Sequence, residues 1–200
     1  MTNRNFNQFI KLPIDFRKFM KLFNVVVLGR FLSENSVEMA LKAYAEFYFS
    51  ITNKYQKRTQ LTLIDKRFNQ SLNEVLVSQL KIGSSTKYLS LNVQNEVEKT
   101  YKNGSLLLLP RIINSSSIIK EAFLYGLPVI GFANSRHDNL LDSTSGLGIT
   151  YQNELTAVQE LANILRLLNY DPDALKMLSK GAARKFERDL SWGERKREAG

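Results

Sequence analysis

Glu121 and Arg30 are the two residues whose type and position most directly suit chemistry on a ligand. Glu121 stands near the start of a predicted helix, and its carboxylate only accepts hydrogen bonds, which suits a vicinal diol such as the hydroxyls of a ribose. Arg30 follows an apolar run and a glycine, where a guanidinium can donate two parallel hydrogen bonds to a diphosphate. Each also has a purely structural explanation. The helix dipole stabilises a glutamate in the first turn of a helix, and an arginine at the surface forms ion pairs.

Three consecutive serines lead into the same predicted helix. The N–H groups of a helix N-terminus lack partners within the helix and bind anions, so the backbone at this point is a predicted phosphate site. Serines before a helix are also good N-caps, and that alternative stays open. The candidate substrate-binding residues are Ser115, Ser116, Ser117, Ile118 and Glu121, and the candidate catalytic residues are Arg30 and Glu121.

A strand, a helix and a second strand hold these residues in sequence. Four leucines at 106–109 end at Pro110, the helix around Glu121 follows, and Gly126-Leu-Pro leads into an apolar run that ends at Gly131. This order is the crossover unit of a parallel sheet, in which ligands bind beyond the carboxyl ends of the strands. We therefore expect the strands at 106–109 and 127–132 to be adjacent or nearly so, and Gly126 to end the helix in a left-handed conformation.

The rest of the chain repeats this alternation of strands and helices. It predicts an α/β fold, a single doubly wound and mainly parallel sheet flanked by helices, which is Rossmann-like. The predicted strands lie near 24–29, 60–65, 87–91, 105–109, 127–132 and 147–151, and the predicted helices near 36–51, 69–80, 94–102, 116–125, 154–168 and 172–188. We expect residues 22–200 to form this domain and residues 1–21 to be a linker or interdomain segment.

The motif around Glu121 resembles the nucleotide-sugar half of GT-B-fold retaining glycosyltransferases, the glycosyl transferases of group 1. That family carries two glutamates separated by seven residues, the second followed by Ala and then by Gly-x-Pro-Val, and Glu121 matches the second. The strand from Phe23 to Gly29 with Arg30 is similar to the family's first strand and its Gly-Arg-Leu turn, and the likeness continues in order from about residue 22 to about residue 193.

Three positions depart from the family pattern. Ile113 replaces the first glutamate, Asn35 stands where the family has a lysine, and Asp65-Lys-Arg replaces a glycine-rich turn. The resemblance implies binding of a UDP- or GDP-linked sugar, with Glu121 towards the ribose and Arg30 towards the phosphates, and hexosyl transfer in which cations stabilise the departing diphosphate. The departures leave it open whether the chain is an enzyme.

Three functions follow as hypotheses. In the first, the chain is the donor half of a glycosyltransferase and works with an acceptor domain that the chain does not contain. In the second, it is a catalytically inactive partner subunit of the same fold. The third is an rRNA-binding protein of the small ribosomal subunit, which Gly126-Leu-Pro-Val-Ile-Gly and the segment from Asn134 to Asp138 also resemble.

Composition limits the partners and the compartment. The net charge is +9 and the isoelectric point is near 9.7, which favours anionic partners such as a nucleoside diphosphate, an anionic lipid surface or nucleic acid. The basic residues from 176 to 197 alternate with acids, which predicts a solvated helix face. With no cysteine, a single histidine at His137, no membrane-spanning run and no secretory signal, we expect a soluble, cytoplasmic protein with no metal and no cofactor.

Overall fold

The computed structural model describes residues 14–16, 18–29, 32–65, 70–90, 94–110, 116–132 and 141–198. They form one six-stranded sheet in the order β3-β2-β1-β4-β5-β6, and all five neighbouring pairs are parallel. The order runs outward in one direction from β1 and in the other direction from β4. The predicted doubly wound, Rossmann-like fold is confirmed.

From β1 to β5 every strand is separated from the next by a helix, as the sequence predicts. The strands are β1 (Phe23–Leu28), β2 (Thr59–Asp65), β3 (Thr86–Ser90), β4 (Leu106–Leu109), β5 (Val129–Phe132) and β6 (Gly146–Ile149). The helices are α1 (Lys18–Lys21), α2 (Glu34–Ser50), α3 (Asn53–Gln56), α4 (Gln70–Gln79), α5 (Gln94–Asn103), α6 (Ser116–Leu124), α7 (Glu154–Tyr170) and α8 (Pro172–Glu198). Compared with prediction, α8 extends ten residues further, and the short helices α1 and α3 are additional.

Two hydrophobic cores cover the two faces of the sheet. Along β1, Val25 and Val27 pack in one core with α2 and α7, whereas Val26 and Leu28 pack in the other with α6 and α8. Side chains alternate between the faces of a strand, so a strand covered on both sides must be apolar throughout. This explains why the central strands are runs of valine and leucine.

The crossover from β4 through α6 to β5 has the predicted form. Leu107 pairs with Val129, so the two strands are neighbours, as expected. Gly126 follows α6 with φ of 60°, the left-handed conformation that ends a helix. A Cβ at this position would lie 2.3 Å from Cδ1 of Ile14, so the packing as well as the backbone requires glycine.

A buried polar seam joins β1 to the strands on either side. Asn24 accepts a hydrogen bond at Oδ1 from the Thr62 hydroxyl of β2 at 2.8 Å, and its N–H donates to Oγ of Ser105 at 3.0 Å. The Ser105 N–H in turn donates to the Asn24 carbonyl at 2.8 Å. An asparagine in an otherwise apolar strand is tolerated because its polar atoms have partners.

Helix α8 packs closely against the turn before β6. A Cβ on Gly181 would lie 1.7 Å from the Thr144 carbonyl oxygen, so only glycine allows the helix to approach this turn. Lys185, one turn further on, is buried and ion-paired with Asp142. The prediction of a wholly solvated basic face is therefore wrong at Lys185, because the helix turns this lysine inward onto a carboxylate 43 residues away.

No helix in the described part of the chain has the length and apolar character needed to cross a membrane.

Candidate active site at the sheet switch point

The candidate site lies where the strand order reverses, between β1 and β4. Both strands are parallel, with Val25 paired to Leu106 and Val27 to Leu108, so their carboxyl ends open on the same edge of the sheet. From that edge the chain leaves β1 towards α2 and β4 towards α6. Where the strand order reverses in this way, open α/β sheets have a crevice between the two helix N-termini. A crevice of this kind binds phosphorylated ligands in open α/β sheets.

On the β1 side, hydrogen bonds link the end of the strand to the approach to α2. Gly29 is buried, its carbonyl accepts the N–H of Leu32 at 3.0 Å, and the hydroxyls of Ser33 and Ser36 lie 2.9 Å apart at the helix start. Glu34 and Asn35 form the exposed first turn. A carboxylate and an amide therefore occupy this helix end, and neither neutralises the charge of a diphosphate.

On the β4 side, α6 presents one face to solvent and one to the core. Ile118 and Ile119 are buried, whereas Ser117 is exposed and Glu121 is half-buried. Ser117 and Glu121 are four residues apart, so they lie on one side of the helix about 6 Å apart along its axis. Helical side chains lean towards the N-terminus, which directs Glu121 towards the turn at Ser117. The side chain of Ile118 is buried in the core, so this residue can contribute only its backbone N–H to a ligand at the start of the helix.

The structure brings part of the predicted site together. Ser116, by its backbone, opens α6 at the crevice, with Ser117, Ile118 and Glu121 in the following turns. Arg30 and Ser115 lie outside the described residues. So do Ile113 and His137. Within the described ranges, no group of three or more His, Cys, Asp or Glu side chains could hold a metal ion.

The densest polar cluster of the described residues is elsewhere, at the turn before β6. Asp142 accepts at Oδ1 from the N–H groups and hydroxyls of Thr144 and Ser145, and at Oδ2 from Lys185 at 2.7 Å. Burial by itself would raise the pKa of the Asp142 carboxyl, but the hydrogen bonds from Lys185, Thr144 and Ser145 together hold that pKa well below its usual range.

This cluster is at the opposite edge of the sheet from the crevice, since it precedes β6 whereas the crevice follows β1 and β4. Its role is to fasten the turn to α8. Sequence reasoning missed it, although Asp142-Ser-Thr-Ser is a pattern in which an aspartate bonds the backbone two and three residues on.

Solved structures to which this chain is similar include glycosyltransferases. The chain matches HepE from Anabaena in complex with UDP and glucose, with 18% identity over 91% of this chain and 50% of that one at a TM-score of 0.67. It matches the pneumococcal O-GlcNAc transferase GtfA in complex with UDP and GlcNAc, with 17% identity over 84% of this chain and 32% of that one at 0.68. No protein-family model and no curated protein sequence matches it.

A third structure defines which half the chain corresponds to. The C-terminal domain of LpcC, a glycosyl transferase group 1 family protein from Francisella tularensis, matches with 12% identity and a TM-score of 0.62, over 88% of this chain and 91% of that domain. The chain spans only about a third to a half of the length of the longer glycosyltransferases, at 32% of GtfA and 50% of HepE. It therefore has the fold of the C-terminal half of a GT-B glycosyltransferase.

Proposed function

We propose that this chain binds a nucleoside-diphosphate sugar in the crevice between β1 and β4 and acts as the donor half of a glycosyltransferase. The observation that carries the proposal is the position of Glu121. It stands one turn into the helix that opens at the reversal of strand order, on the same side as Ser117. In this arrangement the carboxylate can accept hydrogen bonds from a diol, and the helix N-terminus can bind a phosphate.

In this proposal the ligand spans the first two turns of α6. The backbone of Ser115, Ser116, Ser117 and Ile118 donates to the phosphates, and Arg30 neutralises their charge from the β1 side. Glu121 accepts from the ribose hydroxyls about one helical turn further along the helix. HepE and GtfA, which share the fold, are solved as complexes with UDP, and this supports the choice of nucleotide.

Calorimetric titration with UDP and with GDP tests the proposal. Glu121→Ala removes hydrogen bonds to a charged acceptor and is expected to weaken binding on the order of tenfold. Arg30→Ala is expected to have an effect of similar size. Lys120→Ala is the matched control, because it changes the exposed neighbour of Glu121 on the same helix. Equal affinities in all four proteins would place the site elsewhere.

An inactive binding subunit is the second candidate. The exposed first turn of α2 carries Glu34 and Asn35 rather than a cation, and Ile113 stands in place of a glutamate. Both changes remove groups that would act in the transition state, and one preorganised group is worth on the order of 3 kcal/mol of barrier. The solved structures compared above give the rRNA-binding hypothesis no support.

Release of UDP or GDP from a panel of nucleotide sugars separates the two candidates. We expect no appreciable turnover by the chain alone, since transfer in a two-domain fold takes place between the domains, where closure excludes water. Turnover on adding an acceptor-domain partner supports the donor half, and nucleotide binding without turnover in its presence supports the inactive subunit. Acceptor-dependent turnover by the chain alone would contradict both.

A further inference from the structure

A basic and partly apolar surface covers the end of the sheet at which the strands begin, opposite the crevice. Four large apolar side chains are exposed there, namely Met20 at 62%, Leu167 at 66%, Tyr170 at 43% and Met177 at 73%. They belong to α1, the end of α7 and the start of α8, which meet at the amino ends of the strands. We call this surface the basal face.

Specific contacts hold these elements together. Arg58, just before β2, donates to the Met20 carbonyl at 3.4 Å and to the Asn169 carbonyl at 3.5 Å, so α1 and α7 meet on the same arginine. The Tyr170 ring lies 4.4 Å from the Tyr55 ring of α3. The ammonium group of Lys176 in α8 lies 5.9 Å from the centroid of the Phe16 ring, just before α1, so the start of α8 adjoins the same elements. The four exposed apolar side chains therefore belong to elements that adjoin one another.

Cations surround the apolar side chains on the basal face. Lys21, Lys54 and Lys57 are exposed, and Arg58 and Lys176 are partly exposed. Three acids lie near these ends of the elements, namely Asp15, Asp171 and Asp173. Asp171 is engaged at the start of α8, where its Oδ1 accepts from two backbone N–H groups. The face thus carries a net positive charge.

We propose that the basal face docks on an anionic lipid surface. Lysines around exposed methionine, leucine and tyrosine side chains are the composition that lies at a membrane interface, where cations meet lipid phosphates and apolar groups enter the headgroup boundary. A second copy of the chain is disfavoured, because pairing this face with itself would oppose like charges. Nucleic acid would attract the lysines but leave Met20, Leu167 and Met177 without apolar partners.

Docking in this way leaves the crevice accessible. The strands are four to seven residues long, so the two edges of the sheet are separated by about 13 to 23 Å. A chain lying on a membrane by its basal face presents the ends of β1 and β4 away from the lipid. The proposal is independent of whether the crevice binds a nucleotide.

Vesicle flotation of the full chain tests it, with phosphatidylcholine alone and with phosphatidylcholine and phosphatidylserine in a three-to-one ratio. We expect binding to the anionic vesicles and little to the neutral ones. Lys54→Gln with Lys57→Gln should lower the affinity on the order of tenfold. The control is Lys87→Gln with Lys120→Gln, which removes the same charge from exposed positions on other surfaces. This control should change the affinity for the anionic vesicles by less than about twofold.

The apolar contribution has its own pair of variants. Met177→Ser should weaken binding without changing its salt dependence, whereas Leu155→Ser, an equally exposed residue at the start of α7, should have no effect. All substituted side chains are exposed, so the variants are expected to remain folded, which circular dichroism checks. Equal losses in the basal and control variants, or binding to an RNA oligonucleotide with none to anionic vesicles, would overturn the proposal.

Discussion

The ammonium group of Lys185 lies 2.7 Å from Oδ2 of Asp142 and fastens α8 to the turn before β6. The lysine side chain is 7% exposed and the aspartate side chain is 40% exposed. Removing one partner of such a pair leaves the other charge without compensation, and the cost depends on how deeply that charge is buried.

Asp142→Ala should lower the free energy of unfolding by about 2 kcal/mol, less than for a fully buried pair because water reaches the carboxylate. The measurement is urea denaturation at neutral pH. Lys185→Met is the control, since it removes the buried charge and keeps the aliphatic stem, and it should cost less. A loss in Asp142→Ala smaller than about 0.5 kcal/mol would show that the pair contributes no stability.

The same carboxylate makes stability depend on pH. The pKa of Asp142 is held below its usual range in the folded chain, so the unfolded chain takes up the proton first as the solution is acidified. Its stabilising effect is complete above the ordinary carboxyl pKa of about 3.9 and is lost progressively as the pH falls from there towards the lower pKa of the folded chain. The difference in unfolding free energy between the wild type and Asp142→Asn should therefore be constant near neutrality and shrink below about pH 4. A difference that does not change with pH would contradict this.

Gly181→Ala should destabilise the chain although it places a better helix former inside α8. Helix propensity favours alanine by about 1 kcal/mol, but its Cβ would lie 1.7 Å from the Thr144 carbonyl oxygen and would push the helix from the turn. We expect a net loss of about 1–3 kcal/mol in the unfolding free energy. Gly83→Ala is the matched control, because the atom nearest to its Cβ is 4.0 Å away. A stabilised Gly181→Ala protein would mean that α8 does not approach the turn so closely.

Asn35→Lys should increase the affinity for UDP. The residue is exposed on the first turn of α2, beside the crevice, and a lysine there adds a cation where the phosphates are proposed to bind. We expect a gain of about threefold to tenfold in calorimetry, reduced by added salt. Asn53→Lys makes the same charge change on the first turn of α3 at the opposite edge of the sheet and should leave the affinity unchanged. An equal gain in both proteins would indicate a general charge effect.

The sequence was sufficient to predict the fold because the strands are short apolar runs separated by helical patterns. The adjacency of β4 and β5 followed from the short crossover at Glu121, and the left-handed Gly126 followed from its place after a helix. These are local signals, and the structure confirms both. The short helix α3 was missed because four residues give no helical period to recognise.

The site was less predictable than the fold. The sequence placed the start of α6 at the crevice, but it could not show that Glu34 and Asn35 would be the exposed end of the facing helix. Nor could it find Lys185 and Asp142, whose contact depends on the angle at which α8 crosses the β6 turn. Contacts that depend on how distant elements pack together produce no recognisable pattern of residue spacing in the sequence.

The polar seam has a consequence for how the crevice forms during folding. Asn24 and Ser105 are 81 residues apart, and their hydrogen bond joins β1 and β4, the two strands that form the crevice. Closing a flexible loop of this length costs about 4 kcal/mol of chain entropy, which must be offset by burial between the strands. The crevice therefore does not exist in either half of the chain before the halves associate. A ligand that binds there binds only the associated strands, so its binding stabilises the folded chain against unfolding through this pair of strands.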